Sequence, residues 1–367
     1  MRIFDSKPSL RWLAPAAFAL VVAGGGLVAV NANAGDKLPT RTAEQLLVDL
    51  QAAKVDGLSG TVVQQANLGI PAIPGAGRGE DNKLNTLISG KHTLHVWYAS
   101  PDKSRVALTE TYGESDVITN GPDVWTWSSQ DKAATHRTID HGDHPAAKQR
   151  STPADLPKTP KEAAQWVLQA IEPSTTVTSD SDVTIAGRSA YELVLRPKDQ
   201  RSLMTEVRVA IDGTTHAPLR VQGFGKKAQL VFEVAYTNVD FTAPEARYFD
   251  FNPPAGTKVT EAATPKHPAP SGADKAEAQA KAKGAQDQVT TVGTGWTTVA
   301  VTKVPAGTAQ SGNEQLQGFM KNLEQISGSW GTGRLLRGTA FSAILTDDGR
   351  VAVGAVGPDL LSEALAK

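Results

Sequence analysis

The sequence predicts an α+β fold in which antiparallel strands dominate and helices cover the sheet. Segments such as 203–211 and 230–237 alternate apolar and polar residues with a period of two, which is the pattern of a strand with one buried face. A parallel α/β sheet would need unbroken apolar strands with a helix between each pair, and the sequence lacks those helices. A segment without large apolar residues, 261–288, precedes a compact C-terminal stretch. We therefore expect a main β-domain, a flexible linker and a small α+β module.

Composition excludes several classes of protein. The 367 residues contain 37 Lys and Arg against 38 Asp and Glu, so the formal net charge is -1. A nucleic-acid-binding protein normally carries a strongly basic surface, and none is expected here. The sequence has no cysteine, which excludes disulfides, thiolate metal sites and cysteine nucleophiles.

The first 34 residues are predicted to be an export signal. Three basic side chains lie within the first 12 residues, an uncharged run covers 13–30, and an A-x-A site ends at Ala34; this order is typical of a secretory signal peptide. The uncharged run reaches the lower length limit of a membrane span. Segment 1–34 is therefore either a cleaved signal or an N-terminal membrane anchor. In both cases the N-terminus inserts into the membrane at least transiently, and the rest of the chain lies outside the cytoplasm.

A helix is predicted over 40–56, at the start of the exported chain. Thr42 and Gln45 have the S/T-x-x-E/Q spacing of a capping box. The residues that follow repeat apolar side chains at helical spacing and so form one stripe. This stripe consists of Ala43, Leu46, Leu47 and Leu50.

Residues 84–139 are predicted to form an antiparallel meander of short strands. Turn dipeptides such as Asn120-Gly121 separate the apolar runs. A polar, Pro-rich stretch follows, and a second capping box then begins a helix that carries Trp166 and ends at Pro173. Strands resume at 191–195.

The C-terminal module, 289–367, is predicted to contain a strand near 299–301, an Asp348-Gly349 hairpin and a final helix over 360–365. Because segment 261–288 cannot order itself by burial, we expect the two modules to move with some independence unless they share an apolar interface. A further helical stripe is predicted from Leu316, Phe319, Met320, Leu323 and Ile326.

Catalytic motifs are missing from the sequence. It contains no G-x-S-x-G, H-E-x-x-H, Walker A or G-x-G-x-x-G pattern. The densest polar cluster, 136–144, contains three His and two Asp, which are residue types that bind zinc. It lies in a loop-like stretch without helical i, i+4 spacing, so a solvated loop is the favoured interpretation and a weak metal site is the alternative. We predict no enzyme, no metal and no cofactor.

The aromatic residues suggest either a packed core or the lining of an apolar cavity. Trp125 and Trp127 are two residues apart and share one face of a strand, Trp97 lies on a probable neighbouring strand, and Trp166 lies on the apolar stripe of a helix. A cavity between a sheet and its helices is a common ligand site. The candidate lining residues are Leu46, Leu50, Trp97, Trp125, Trp127, Trp166, Phe232 and Tyr236.

Two motifs resemble those of the LolA-like lipoprotein-carrier superfamily. Residues 186–197 read AGRSAYELVLRP, similar to the family's G-x-x-A/C-Y-x-L-x-L-x-P strand. Residues 249–259 read FDFNPPAGTKV, which resembles the F-x-F-x-P-P-x-G-x-x-V ending of the domain. The resemblance covers about 40–260 and extends to RseB-type periplasmic sensors.

This resemblance implies a strongly curved antiparallel half-barrel over 35–260 that helices close. It implies a non-enzymatic extracytoplasmic protein that holds a lipid, an acyl chain or a lipoprotein in an apolar cavity. The alternative is an RseB-like envelope sensor or regulator that acts through a protein partner, with a membrane protein as the expected partner.

Overall fold

The computed structural model describes residues 38–69, 89–139, 165, 168–169, 171–262, 289–303, 318 and 322–367. The predicted export signal, most of the predicted linker and residues 140–144 of the polar cluster lie outside the described residues. Within the described part of the chain, strands far outnumber helices, and none of the helices is long and apolar enough to cross a membrane.

Among the described residues, the strands form two sheets, and two α-helices have both ends defined. The main sheet contains β1 (Leu58–Asn67), β2 (Ser89–Ser100), β3 (Lys103–Glu110), β4 (Gly113–Asn120), β5 (Asp123–Ser128), β6 (Ala133–Thr138), β7 (Thr175–Ile185), β8 (Arg188–Pro197), β9 (Met204–Asp212), β10 (Pro218–Gly225), β11 (Leu230–Asp240) and β12 (Lys258–Glu261). The second sheet contains β13 (Val289–Val292), β14 (Val299–Lys303), β15 (Glu324–Gly328), β16 (Gly331–Arg337), β17 (Ser342–Thr346) and β18 (Arg350–Gly354). The helices are α1 (Ala43–Ala52) and α2 (Pro358–Leu365).

The main sheet is open, with β12 and β7 at its two edges. Its strand order is β12-β6-β5-β4-β3-β2-β1-β11-β10-β9-β8-β7. Two meanders, β2 to β6 and β7 to β11, meet at β1, which pairs with both β2 and β11. The pairs are antiparallel except that of β12 with β6. The predicted antiparallel architecture is confirmed, and the parallel edge pair was not predicted.

Helix α1 begins at the predicted capping box. Gln45 N donates to Thr42 Oγ1 at 3.2 Å, and Thr42 N donates to Gln45 Oε1 at 2.9 Å, so two otherwise unpaired N–H groups are satisfied. The helix buries Leu46 and Leu47 in a cluster with side chains of β8 and β9. Of the second predicted helix, residues 165, 168–169 and 171 are described and are helical, and Ile171 joins the same cluster.

The C-terminal unit is a six-stranded sheet covered by α2. The hairpin between β17 and β18 turns at Gly349, whose φ of 85° suits glycine. Both the hairpin and the final helix are confirmed. The helical stripe is wrong at Ile326, which lies in β15 opposite Gly333 of β16. Apolar spacing over a few residues does not distinguish a helix from a strand. At Ile326 the pairing with β16 favours the strand.

The two units share an apolar interface. Met204, Val231 and Ala340 form one buried cluster, against which Trp296 packs. Leu203 N donates to Ala355 O at 2.8 Å, so backbone also crosses the interface. Independent motion of the two modules was expected only if they shared no apolar interface. Because they share one, we do not expect independent motion.

Candidate functional site

The face of the main sheet that carries α1, here called the inner face, can be followed across the sheet by register. Residues directly opposite one another on paired strands point to the same face. Leu193, which packs on α1, lies opposite Val209, and the same row continues through Val221, Val234 and Gln64. The inner face therefore extends from the α1 contact into the other half of the sheet.

Beyond α1, the inner face of β11, β1, β2, β3 and β4 carries a run of apolar side chains. Most of them are half-buried, and Val234 is 45% exposed although it lies on a strand in the middle of the sheet. Glu110 and Arg137 are charged residues of this face at its margins. We call this surface the inner band: Val62, Leu94, Val96, Val106, Leu108, Val117, Phe232, Val234 and Tyr236.

Two aromatic rings of the inner band lie over glycines. A Cβ placed on Gly223 would be 2.1 Å from Phe232 Cε1, and one placed on Gly60 would be 3.0 Å from Tyr236 Cδ1. The glycines leave room for both rings to lie close to the sheet. Burial raises the pKa of the Tyr236 phenol, since the ring packs against the cluster of Ile185, Ala190, Ala210 and Leu219.

The opposite face of the sheet, here called the outer face, carries Trp97, Trp125 and Trp127. A segment that follows β11 covers them. Tyr248 stacks on Trp97 with ring centroids 5.4 Å apart, and Phe251 lies 5.3 Å from Trp125 and 6.0 Å from Trp127. These tryptophans are packed by the chain's own FDFNPP motif.

The structure thus divides the candidate lining residues between two faces. Leu46 and Leu50 belong to the cluster under α1. Phe232 and Tyr236 lie on the inner band by register, and both also pack against buried clusters: Phe232 at the interface of the two units, and Tyr236 against Ile185, Ala190, Ala210 and Leu219. Trp97, Trp125 and Trp127 lie on the outer face, and Trp166 lies outside the described residues. The aliphatic members of the inner band were missed. Alternation along β2 places Val96 and Trp97 on opposite faces of the sheet. It does not reveal which of these two residues lies on the side that carries α1.

A buried ion pair lies on the outer face. Arg105 Nη2 donates to Asp116 Oδ2 at 2.5 Å, and the Asp116 side chain is fully buried. Burial, assisted by a hydrogen bond with Glu114, raises the pKa of Asp116 to about 7, although Arg105 acts in the opposite direction. The guanidinium also lies 5.3 Å from the centre of the Trp97 ring, a cation–π geometry.

His136 links three neighbouring strands. Its Nε2 lies 2.9 Å from Asp123 Oδ1 on β5, and its Nδ1 lies 2.8 Å from Glu261 Oε2 on β12. The ring stacks on Trp125 at 4.2 Å. Burial alone lowers the pKa of the imidazole, but the hydrogen bonds to the two carboxylates outweigh burial and raise it. Among the residues that the structure describes, no cluster could hold a metal ion.

No family model and no curated protein matches this chain. Among solved structures, the MucA/MucB complex of Pseudomonas aeruginosa matches 88% of this chain and 94% of its own at 14% identity and a TM-score of 0.40. An uncharacterised conserved protein of Thermus thermophilus matches 60% of this chain and 99% of its own at 10% identity and a TM-score of 0.34. A LolA superfamily protein of Nitrosomonas europaea matches 58% and 99% at 12% identity and a TM-score of 0.21.

Two of these structures are a MucA/MucB complex and a LolA superfamily protein, and the sequence motifs resemble those of the LolA-like superfamily. Their TM-scores are too low to transfer a function to this chain, so a function has to be argued from the chain's own faces and contacts.

Proposed function

We propose that this protein is a non-enzymatic extracytoplasmic binding protein that holds an acyl chain, from a lipid or a lipoprotein, against the inner band. The observation that supports it is a largely apolar surface on the helix-bearing face from β11 to β4, interrupted by Gln64 on β1, with Val234 45% exposed on β11. Isolated exposed apolar residues are ordinary, but a contiguous apolar surface is typical of an interaction site. The predicted export signal would deliver the protein outside the cytoplasm.

The apolar side chains of the inner band suit an uncharged hydrocarbon chain as the ligand. Burying apolar surface contributes roughly 25 cal/mol per Å², or about 0.8 kcal/mol for each CH₂ group. An acyl chain could therefore bind without a charged anchor, and Glu110 and Arg137 lie at the margins of the face, where a polar headgroup would sit. In this proposal α1, whose Leu46 and Leu50 pack on β8 and β9, forms the wall at one end of the site.

A matched pair of valines tests the proposal. Val234 on the inner band and Val259 on β12 are each 45% exposed, so aspartate at either position should have a similar and small effect on folding. We expect V234D to lose most uptake of a fluorescent fatty acid, and V259D to retain it. The wild-type chain, purified without detergent, should release an amphiphile into organic solvent that mass spectrometry detects. Equal uptake by V234D and V259D, or no amphiphile and no uptake in the wild type, would contradict the proposal.

A second candidate function is an envelope sensor or regulator that acts through a protein partner. The supporting observation is the close docking of the C-terminal unit. Trp296 Nε1 donates to Thr175 Oγ1 of β7 at 2.8 Å, and Thr339 N donates to Leu68 O at 2.7 Å. A docked module could transmit a change at the main sheet to a partner. Crosslinking in cells should then capture a membrane protein that is lost when 289–367 is deleted, and partners unchanged by the deletion would count against a sensor.

A further inference from the structure

The segment that seals the outer face, 246–261, is here called the strap. Its first contact with the sheet is the stacking of Tyr248 on Trp97 of β2. Asp250 then accepts a hydrogen bond from Asn120 Nδ2 at 3.1 Å, and Phe251 contacts Trp125 of β5. The strap ends as β12 on the edge of β6.

The β12 end is the most weakly held part of the strap. β12 has four residues, all exposed, and pairs in parallel with β6, an arrangement slightly less stable per residue than antiparallel pairing. The pairing is flanked by Lys258 N to Lys132 O and Ala262 N to His136 O, each at 2.8 Å. By contrast, the first part of the strap buries Phe249 almost completely.

His136 supplies the side-chain contact that holds this end. The charged groups that face it are Asp123 from β5 and Glu261 from β12; Arg137, next to it on β6, points to the inner face. An imidazolium can donate from both ring nitrogens, whereas a neutral ring donates from one only. Loss of the proton therefore removes one of the two hydrogen bonds and both charge attractions.

We propose that the protonated His136 ring fastens the β12 end of the strap to the sheet, and that this end detaches and exposes the edge of β6 when the ring loses its proton. An exposed strand edge is a template for pairing with another strand. The protein would therefore offer this edge to a partner at alkaline pH and cover it at mildly acidic pH.

The direction of the pH effect follows from His136. Its pKa is raised in the folded protein, so its stabilisation is complete below its unfolded pKa and is lost as pH rises through the folded one. Asp116, flanked by Arg105 and Glu114 on the same face, has a pKa of about 7, so it lowers stability as pH rises from 4 to 7. Both groups therefore disfavour the packed outer face as pH rises, and a D116N variant separates their effects.

A bimane fluorophore on a single cysteine measures detachment, since the full chain has no other cysteine. V259C places the fluorophore opposite Ala134, which lies opposite Trp127, two strand spacings or ~10 Å away, where a tryptophan quenches it. We expect emission to rise in a single-proton step whose midpoint lies above the ordinary imidazole pKa. In an E261Q background the midpoint should fall by about one pH unit, because an opposite charge is lost.

The H136Q background should abolish the step, and D116N should retain it. No step in the V259C chain, a step that survives in H136Q, or a step removed by D116N alone would overturn the proposal. Should H136Q fail to fold, as judged by circular dichroism, E261Q decides the question: Glu261 is 70% exposed, and an unshifted midpoint in this variant counts against His136 as the fastening group.

Discussion

The two faces of strands β2 to β5 differ in how they are covered. The outer face carries tryptophans, a buried ion pair and a histidine, and the chain's own strap packs against them. The inner face carries aliphatic side chains that are mostly half-buried, with Val234 45% exposed. The aromatic residues are thus packed by the chain itself, while the inner band is the surface that we propose for a ligand. This contrast predicts that substitutions on the outer side change stability, and substitutions on the inner band change binding.

The largest effect is expected from removing the strap's buried ring. Phe249 is 2% exposed, and a Phe→Ala change at such a site costs about 4 kcal/mol through lost burial and a residual cavity. Urea denaturation of F249A should show this loss. Phe232 on the inner band is half-buried, so F232A should cost clearly less; equal losses would remove the distinction between the two faces.

A smaller loss is expected at the turn after β9. Arg188 donates to both oxygens of the buried Asp212 at 2.6 and 3.0 Å. Burial alone raises the pKa of Asp212, but hydrogen bonds from Arg188 and Thr215 outweigh burial and hold it below its usual value. D212N should cost about 3 kcal/mol at pH 7 by leaving Arg188 unpaired.

The contribution of Asp212 to the free energy of unfolding is fully present above the pKa of this carboxylate in the unfolded chain. It is lost as pH falls through the lower pKa of the folded protein. The stability gap between wild type and D212N should therefore close in acid. A gap that is independent of pH would show that the loss comes from packing. D199N at an exposed Arg pair is the matched control and should change stability little.

A pH-dependent effect is expected at Asp116. Its pKa is raised to about 7 by burial, so ionisation penalises the folded state, and this group lowers stability as pH rises from 4 to 7. The melting temperature of D116N should fall less over this range than that of the wild type. If the melting temperatures of the two proteins fell equally from pH 4 to 7, ionisation of Asp116 would not lower the stability of the fold.

The smallest effect on stability is expected on the inner band. Val106 is half-buried, and V106T introduces a hydroxyl that can still contact water there. Unfolding free energy should change by less than about 1 kcal/mol, while uptake of fluorescent fatty acid should fall. The matched change V351T, at a half-buried valine of β18, should leave uptake unchanged. Loss of uptake in both variants would indicate a global effect.

Much of the local structure was predictable because its signals lie within a few residues. The Thr42–Gln45 capping box, the Asp348-Gly349 hairpin and the strand at 203–211 depend on spacings of two to four residues, and all three elements are present in the structure. The expected solvent-facing side of that strand is wrong at its end, where Val209, Ala210 and Ile211 are all buried. Ile326 was misassigned because its spacing from the preceding apolar residues fits a helix while its strand partner lies in β16.

The candidate site was only partly predictable. Phe232 and Tyr236 were correctly placed on alternating strand positions, but assignment to the inner face depends on the pairing of β11 with β1, which brings Tyr236 opposite Val62. Trp125 looked like a cavity residue because an aromatic side chain suits both a core and a ligand site. The FDFNPP motif was recognised, yet its contact with the tryptophans joins segments more than 100 residues apart.

By itself, the sequence determined the classes of element, the turns, the helix start and the apolar character of both strand faces. These features follow from backbone preferences, hydrogen-bond capping and side-chain periodicity, which act over one or two turns of chain. Only the tertiary structure decided which face α1 covers, which face the strap seals, and that β12 pairs in parallel with β6. The physical reason is that a strand's two faces are equivalent until a distant segment packs on one of them. The free energy of that packing depends on both segments together, so neither segment predicts it alone.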